Sequence, residues 1–350
     1  MELPFVWLRD YCQCKDCQHP ETKQRIFNTF AIPEVLEAKS ITISPAGKSL
    51  IIKWQDDHLS EYSSEFLEGL RSDPESLNIK HNLWKGDTFK NAPPYVDYEQ
   101  FMTDEKAVHQ FLEMIEEFGF AFVEGTPPTG EATKEVSERI CQLRGTIFGS
   151  GYYEMTANLE HKDTAYTPLP IEPHTDGTYS NDAPSYQVLH CIEENCQGGT
   201  NILVDGFMLA KVIKEKYPHD YYTLTNVQVP GQYIDTERGI HLMARRPIFR
   251  LNDSDSVVQV SFNNHDRAPF VISPEQMQDF YRAIQTFARL YSLPEFQYRR
   301  KLLPGSCLFF DNWRILHARE AYTGYRKLGG VYFNKEDVES RLRTLRQKYA

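Results

Sequence analysis

Three residues of this chain have the types and spacing to hold a redox-active metal: His174 and Asp176, separated by Thr175, and a distant His317 in the run Phe309-Phe310-Asp311-Asn312-Trp313-Arg314-Ile315-Leu316-His317. Two imidazoles and one carboxylate on one face of a ferrous ion leave adjacent coordination positions open, as oxidation by dioxygen with a cosubstrate requires. A lone His-x-Asp is commonly a surface turn, so its context decides. Pro168, Pro170 and Pro173 put the pair in extended or turn backbone, and the β-rich run 186–190 follows. His317 trails the apolar run Cys307-Leu308-Phe309-Phe310, opened by the turn signal Pro304-Gly305. The 317 − 174 = 143 residues between the histidines leave room for several strands. A double-stranded β-helix, or jelly roll, brings such distant strand ends together.

A second ligand set lies near the start. Cys12, Cys14 and Cys17 crowd three thiols into six residues. Exposed together they would oxidise, whereas one tetrahedral Zn²⁺ takes all three and needs a fourth ligand. His19, His58 and His81 are the candidates. His19 is awkwardly close to Cys17, and His58, at the end of a predicted hairpin, is chosen. A site closed by four protein ligands has no open position, so its role is structural.

The elements that must position these residues are predicted to be mainly β, with buttressing helices. Ser40-Ile41-Thr42-Ile43-Ser44 and Leu50-Ile51-Ile52-Lys53-Trp54 flank a turn at 45–47 as a hairpin, and residues 1–90 read as a small β-rich zinc-binding module. Asn91-Ala92-Pro93-Pro94 reads as a linker to a catalytic domain over 91–350. Val108, Phe111, Leu112 and Ile115 give a helix over 104–118 that Gly119 closes before a strand at 120–123. A second helix is expected from 131 to about 148, with Val136, Ile140, Leu143 and Ile147 facing inward, and a short one over 207–216 follows a strand at 201–204. Ser273-Pro274-Glu275-Gln276 caps a helix reaching about 291. Further strands are expected at 226–234, 246–251, 257–262, 296–302, 306–310 and 328–333.

Of the 350 residues, 41% are hydrophobic and 13% aromatic, enough for a substantial core. Acidic residues outnumber basic ones 49 to 38, for a net charge of −11. The basic residues at 341–348 have the spacing of a solvated amphipathic helix, which argues against a nucleic-acid partner. No apolar run approaches the ~18 residues of a membrane span. Seven cysteines, an odd count, without a secretory signal point to a reducing intracellular compartment: mitochondrial if a transit peptide has been removed, otherwise cytoplasmic.

Several longer motifs occur in one order: Phe5-Val6-Trp7-Leu8-Arg9-Asp10, Asp163-Thr164-Ala165-Tyr166, His174-Thr175-Asp176, Leu203-Val204-Asp205-Gly206-Phe207, Phe262-Asn263-Asn264, the run ending at His317, and Thr323-Gly324-Tyr325-Arg326. Together they resemble the γ-butyrobetaine hydroxylase and trimethyllysine dioxygenase family of iron(II)- and 2-oxoglutarate-dependent oxygenases of carnitine biosynthesis, over nearly the whole chain. The resemblance implies a zinc-binding N-terminal domain, a double-stranded β-helix and a homodimer. It assigns iron to His174, Asp176 and His317, and zinc to Cys12, Cys14, Cys17 and His58. It also assigns Arg326, rather than Arg319 or Arg314, to the far carboxylate of 2-oxoglutarate, with ascorbate as reductant. Asn201 stands where many relatives have a small hydroxyl residue near 2-oxoglutarate, and Thr200 is a substitute. A trimethylammonium group donates no N–H hydrogen bond and is selected by aromatic faces. The matching residues are Tyr166, Tyr332 and one or both of Tyr152 and Tyr153, with Asn263 and Asn264 beside them. Asp163 stands where butyrobetaine enzymes tend to have Asn, and Gly177 where they tend to have Tyr. An acidic residue suits the extra α-ammonium of trimethyllysine, so 3-hydroxylation of N6,N6,N6-trimethyllysine is the expected reaction and γ-butyrobetaine hydroxylation the alternative. A catalytically silent reader of methylated lysine is a rival from another class.

Overall fold

The computed structural model describes residues 2–70, 81–90, 92–158 and 163–349. It divides into two units, Met1–Ile79 and Lys80–Ala350. The boundary lies before the expected one at 90, because Trp84 belongs to the second unit's interior: its backbone N–H donates to Asp205 and its indole N–H to the Phe118 carbonyl.

In the first unit, the helix Phe5–Asp10 precedes an antiparallel sheet of Ala38–Ile43, Ser49–Trp54 and Leu59–Ser63. Leu8, Ile52, Trp54 and Tyr62 form its small core. Tyr62 donates to the Leu8 carbonyl and the Trp54 indole to Ser60, so the polar tips of the two largest core rings are satisfied. A core of this size gains from a metal staple.

Two larger sheets make up the second unit's centre. One runs Tyr298–Arg300, Asn201–Asp205, Ile315–Arg319, Ile171–His174. The other runs Tyr95–Asp97, Phe120–Glu124, Ser306–Asp311, Tyr186–Gly198, Tyr322–Phe333, Tyr152–Met155. Every pairing is antiparallel except that of Tyr95–Asp97 with Phe120–Glu124. Strand alternation sorts the side chains into layers. On the smaller sheet, Leu203 and Ile315 join Leu189, Leu308, Phe310 and Leu328 of the larger sheet in one inner cluster, with Phe120, Phe122 and Tyr298. Ile202, Val204, Leu316 and Ala318 point the other way, onto Phe280, Ala283 and Phe287 of the helix Pro274–Tyr291. Val188, Phe309 and Val331 of the larger sheet likewise meet Val108, Phe111 and Leu112 of the helix Glu105–Phe118.

The mostly-β architecture with helices against the sheets agrees with the sequence reading, and several boundaries are corrected. The helix expected over 131–148 spans only Gly130–Glu138. Beyond it the Arg144 N–H donates to the Tyr332 carbonyl, and this tertiary pairing overrides the helical periodicity. The strand expected from 226 starts at Val229, because Pro218–Asn226 is a helix. The 246–251 strand is two: Ile240–Arg246 ends before Pro247, and Phe249–Leu251 begins after it. Of the linker expected at 91–94, residues 92–94 carry no regular structure and Asn91 lies outside the described residues, and Tyr95–Asp97 after them pairs into the larger sheet. Helix ends follow their signals, with Ser273 and Gln276 closing a capping box and Gly119 taking φ +80.

Asp205 ties the layers together. Its Oδ1 accepts the N–H groups of Phe207 and Met208 at the start of Gly206–Lys216, and the fully buried Arg314 guanidinium grips both carboxylate oxygens. Arg314 also donates to the carbonyls of Asn82 and Glu117. Removing the carboxylate strands a buried cation, so Asp205→Ala is expected to lower stability by about 3–5 kcal/mol in equilibrium urea unfolding.

Candidate metal centre and its cavity

The register of two strands creates the site. His317 lies directly opposite His174 in the antiparallel pairing of Ile315–Arg319 with Ile171–His174, and their ring centroids are 4.2 Å apart. Asp176, two residues beyond, puts its Oδ1 3.2 Å from His174 Nε2 and 3.5 Å from His317 Nε2. An octahedral ion with bonds near ~2.1 Å separates adjacent donors by about 3.0 Å, so the three atoms can share one ion. His174 Nδ1 lies 2.8 Å from the Glu172 carbonyl. A carbonyl only accepts, so Nδ1 carries the proton and Nε2 presents its lone pair inward.

Protonation also suits a cation. Burial would raise the Asp176 carboxyl, but the facing imidazoles hold it well below its usual range. Burial, and then the charge of His174, lowers His317. Burial would lower His174 as well, but the Asp176 carboxylate outweighs it and raises it.

Asp176 is held by groups that do not reach the shared centre. Tyr332 donates to its Oδ2 at 2.6 Å, and Gln187 donates to the hydroxyls of both Tyr332 and Tyr153. Asn312 accepts from the Asp176 N–H at 2.8 Å and donates to its carbonyl at 3.1 Å. Gly177 turns the chain at φ +74, and a Cβ there would stand 2.6 Å from Pro184 Cδ. Only glycine fits this turn without rearrangement.

The three residues open into a cavity of about 700 Å³, including its mouth, between the two sheets. Of the sequence-predicted residues, Arg326, Asn201, Tyr153, Asp163, Tyr166, Asn263 and Tyr332 line it. Tyr153 stacks on Tyr332 with centroids 5.2 Å apart. Tyr152, its neighbour on the strand, takes the opposite direction and donates to Glu154. Asn264 is exposed and accepts from Arg267. Thr200 is not among the cavity's lining residues. Arg326 donates to Asn201 Oδ1 at 2.8 Å. Arg319 also lines the cavity, but its Nη2 is committed to the Thr167 and Leu169 carbonyls. Burial, and then the charge of Arg326, pushes Arg319 down to about 10. Two buried guanidiniums that oppose each other leave the cavity's end ready for an anion. Sequence reading missed Phe148, Tyr179, Gln187 and Asp266 in the lining and the clamp at Asn312. Asn312 and Asp266 both sit in polar stretches that leave strands, a signal that could have marked them.

In the first unit, Cys12, Cys14 and Cys17 place their Sγ atoms 3.3, 3.7 and 3.5 Å from His58 Nε2. A tetrahedron with Zn–S near ~2.3 Å and Zn–N near ~2.0 Å has S···N edges of about 3.5 Å. Neither His19 nor His81 belongs to this cluster among the described residues.

Residues 86–332 match the model of the taurine catabolism dioxygenase TauD, TfdA family, and residues 1–68 match that of gamma-butyrobetaine hydroxylase-like N-terminal domains. The mitochondrial trimethyllysine dioxygenase of Homo sapiens is 33% identical over 99% of this chain and 83% of its own length. That of Meyerozyma guilliermondii is 32% identical over 97% and 89%. The chain belongs to the TauD/TfdA dioxygenase family. Within it, the relatives place the chain in the γ-butyrobetaine hydroxylase and trimethyllysine dioxygenase group; the gamma-butyrobetaine dioxygenase of Pseudomonas sp. (strain AK-1) is 29% identical over 98% of the chain. Two crystal structures of taurine dioxygenase-type proteins from Burkholderia xenovorans share the fold, with TM-scores of 0.54 and 0.50 at 17% and 15% identity, covering 69% of this chain and 90% and 88% of theirs. It is a 2-oxoglutarate-dependent dioxygenase.

In this dioxygenase Asn312 fixes the backbone of the carboxylate at the metal centre. Asn312→Ala is expected to weaken ferrous-ion binding roughly 10–100-fold, as loss of an outer-shell partner does, and, since the buried amide also donates to the Pro184 carbonyl, to lower the melting temperature. Anaerobic metal titration beside a thermal melt checks both.

Proposed function

We propose that this dioxygenase hydroxylates free N6,N6,N6-trimethyllysine to 3-hydroxy-N6-trimethyllysine, a step of carnitine biosynthesis. His174, Asp176 and His317 would hold ferrous iron, and Arg326 with Asn201 would hold the far carboxylate of 2-oxoglutarate. Iron with 2-oxoglutarate supplies activation of dioxygen, with succinate and CO₂ released alongside the hydroxylated product. The chain's own contribution is placement. Tyr153, Tyr166 and Tyr332, which line the cavity, would offer π faces to the trimethylammonium group.

The observation that carries this reading is Asp163, a carboxylate lining the same cavity as the tyrosines and the metal centre. A second carboxylate favours a ligand with a second cation and disfavours γ-butyrobetaine, whose free end is anionic. The names of the most similar relatives agree with this choice. Intact metal and Arg326 positions speak against a silent methyl-lysine reader. With trimethyllysine, γ-butyrobetaine and 2-oxoglutarate supplied together to anaerobically iron-loaded enzyme and then exposed to air, mass spectrometry is expected to find trimethyllysine gaining oxygen first, with equimolar succinate, and ascorbate prolonging turnover. Faster conversion of γ-butyrobetaine would overturn the choice of substrate, and iron binding without succinate would favour the reader.

Cys12, Cys14, Cys17 and His58 are proposed to hold one structural zinc. Burial pushes the Cys17 thiol up to about 12, against the pull of the Arg9 guanidinium at 3.4 Å, so a bound cation is what would make this thiol ionise. Cys14→Ser is expected to release zinc, measured by metal analysis, and to lower the melting temperature. Homodimerisation and an intracellular compartment, mitochondrial in the manner of the vertebrate relatives' names, also stand as proposals. Among the described residues no helix is long and apolar enough to cross a membrane.

A further inference from the structure

Asp266 takes no part in the metal geometry, yet it lines the cavity beside Asn263. Its partners are lopsided. Thr178 Oγ1 at 3.2 Å and Asn263 Nδ2 at 2.9 Å both donate to Oδ2, and Oδ1 has no partner among the described residues. Asp163 is similar: the Ala165 N–H donates to its Oδ1 at 2.8 Å, and its other oxygen has no partner among the described residues. The cavity therefore holds two carboxylates, each fixed through one oxygen and offering the other.

Charge balance sharpens the point. Burial, and then the charge of Asp163, pushes the Asp266 carboxyl up to about 7, with His174 opposing and Asp176 adding to the rise. Burial raises Asp163 too, its Ala165 hydrogen bond opposing; Asp176 adds to the rise, and His174 and His265 oppose it. A buried carboxylate raised by its neighbour is costly to ionise, and a ligand cation beside the two offsets that cost.

Resting on the trimethyllysine reading, we propose that Asp266 acts with Asp163 as the counter-ion for the substrate's α-ammonium, and so makes the cavity select a free amino acid over the same side chain within a peptide. Asn263 and Thr178 are then positioning residues that aim the open oxygen of Asp266. The aromatic faces read the methylated end, and the paired carboxylates read the α-amino end. A peptide-bonded or acylated nitrogen is neutral and gains nothing from them.

The test compares trimethyllysine with Nα-acetyl-trimethyllysine, binding each by calorimetry to the anaerobic complex of the enzyme with iron and 2-oxoglutarate. Asp266→Asn keeps the size of the side chain and an acceptor, and removes the charge. Its expected effect is a loss of ~10-fold or more in affinity for trimethyllysine, since a desolvated charge pair is broken, with affinity for the acetylated ligand within about twofold of wild type. Asp266→Glu is expected to retain part of the preference. Equal losses for both ligands, equal losses with Glu and Asn, or no loss at all would overturn the assignment. Should the Asn variant not fold, Asp266→Ser is read by the same comparison. Failure of the substrate reading itself is visible separately, as wild-type enzyme that neither binds nor oxidises trimethyllysine.

Discussion

The site depends on one backbone constraint, the antiparallel register that sets His317 opposite His174. Side chains alternate across a sheet, so a slip of one residue in this pairing would turn an imidazole out toward the helices and put Leu316 or Ala318 in its place. The register is fixed from both sides. Outward, Leu316 and Ala318 belong to the helix-packed cluster; inward, Ile315 belongs to the cluster between the sheets. On the far side, Ile315 through Arg319 pair with Asp205 through Asn201 in unbroken order. Packing and hydrogen bonding thus select the same alignment, and the metal geometry follows from it.

The rest of the second unit keeps polar groups under control around that seam. Arg314 and Asp205 neutralise each other where helix, strand and the 81–90 segment meet. Asn312, one residue past the strand Ser306–Asp311, holds Asp176 through its backbone, while Tyr332 holds the same residue through its carboxylate. Gly177 then turns the chain away where a side chain would strike Pro184. The carboxylate is immobilised from several directions before any ligand arrives, as a preorganised centre requires. Asp163 and Asp266 line the same cavity, as do Arg319 and Arg326, whose charges oppose each other.

Much of this was legible in the sequence because it rests on local chemistry. His174, Asp176 and His317 stood out by type and by neighbouring strand signals, and the thiol triplet by its crowding. Helix caps at Ser273 and Gly119 were readable because they satisfy orphan backbone groups within a few residues. What was missed depended on distant contacts. The helix predicted to 148 stops at Glu138 because the following segment pairs with Tyr332, and that detour is what brings Phe148 to the cavity. The direction of Tyr152 against Tyr153 hangs on register with Tyr322–Phe333, and the choice of Asn201 over Thr200 on which face of its strand meets Arg326. Asp266 lies three residues past Asn263, and only the fold reveals that both enter one cavity. The family resemblance supplied the role of Arg326, which charge patterning alone did not.

The central claim is that residues 174, 176 and 317 form one metal centre, separate from the cysteine cluster. Its most direct test is anaerobic ferrous-ion titration with 2-oxoglutarate on wild type, Asp176→Ala and Cys12→Ser, with zinc content measured in each. The account predicts that Asp176→Ala loses iron and keeps zinc, while Cys12→Ser loses zinc and keeps iron. Iron bound as tightly by Asp176→Ala as by wild type would contradict it.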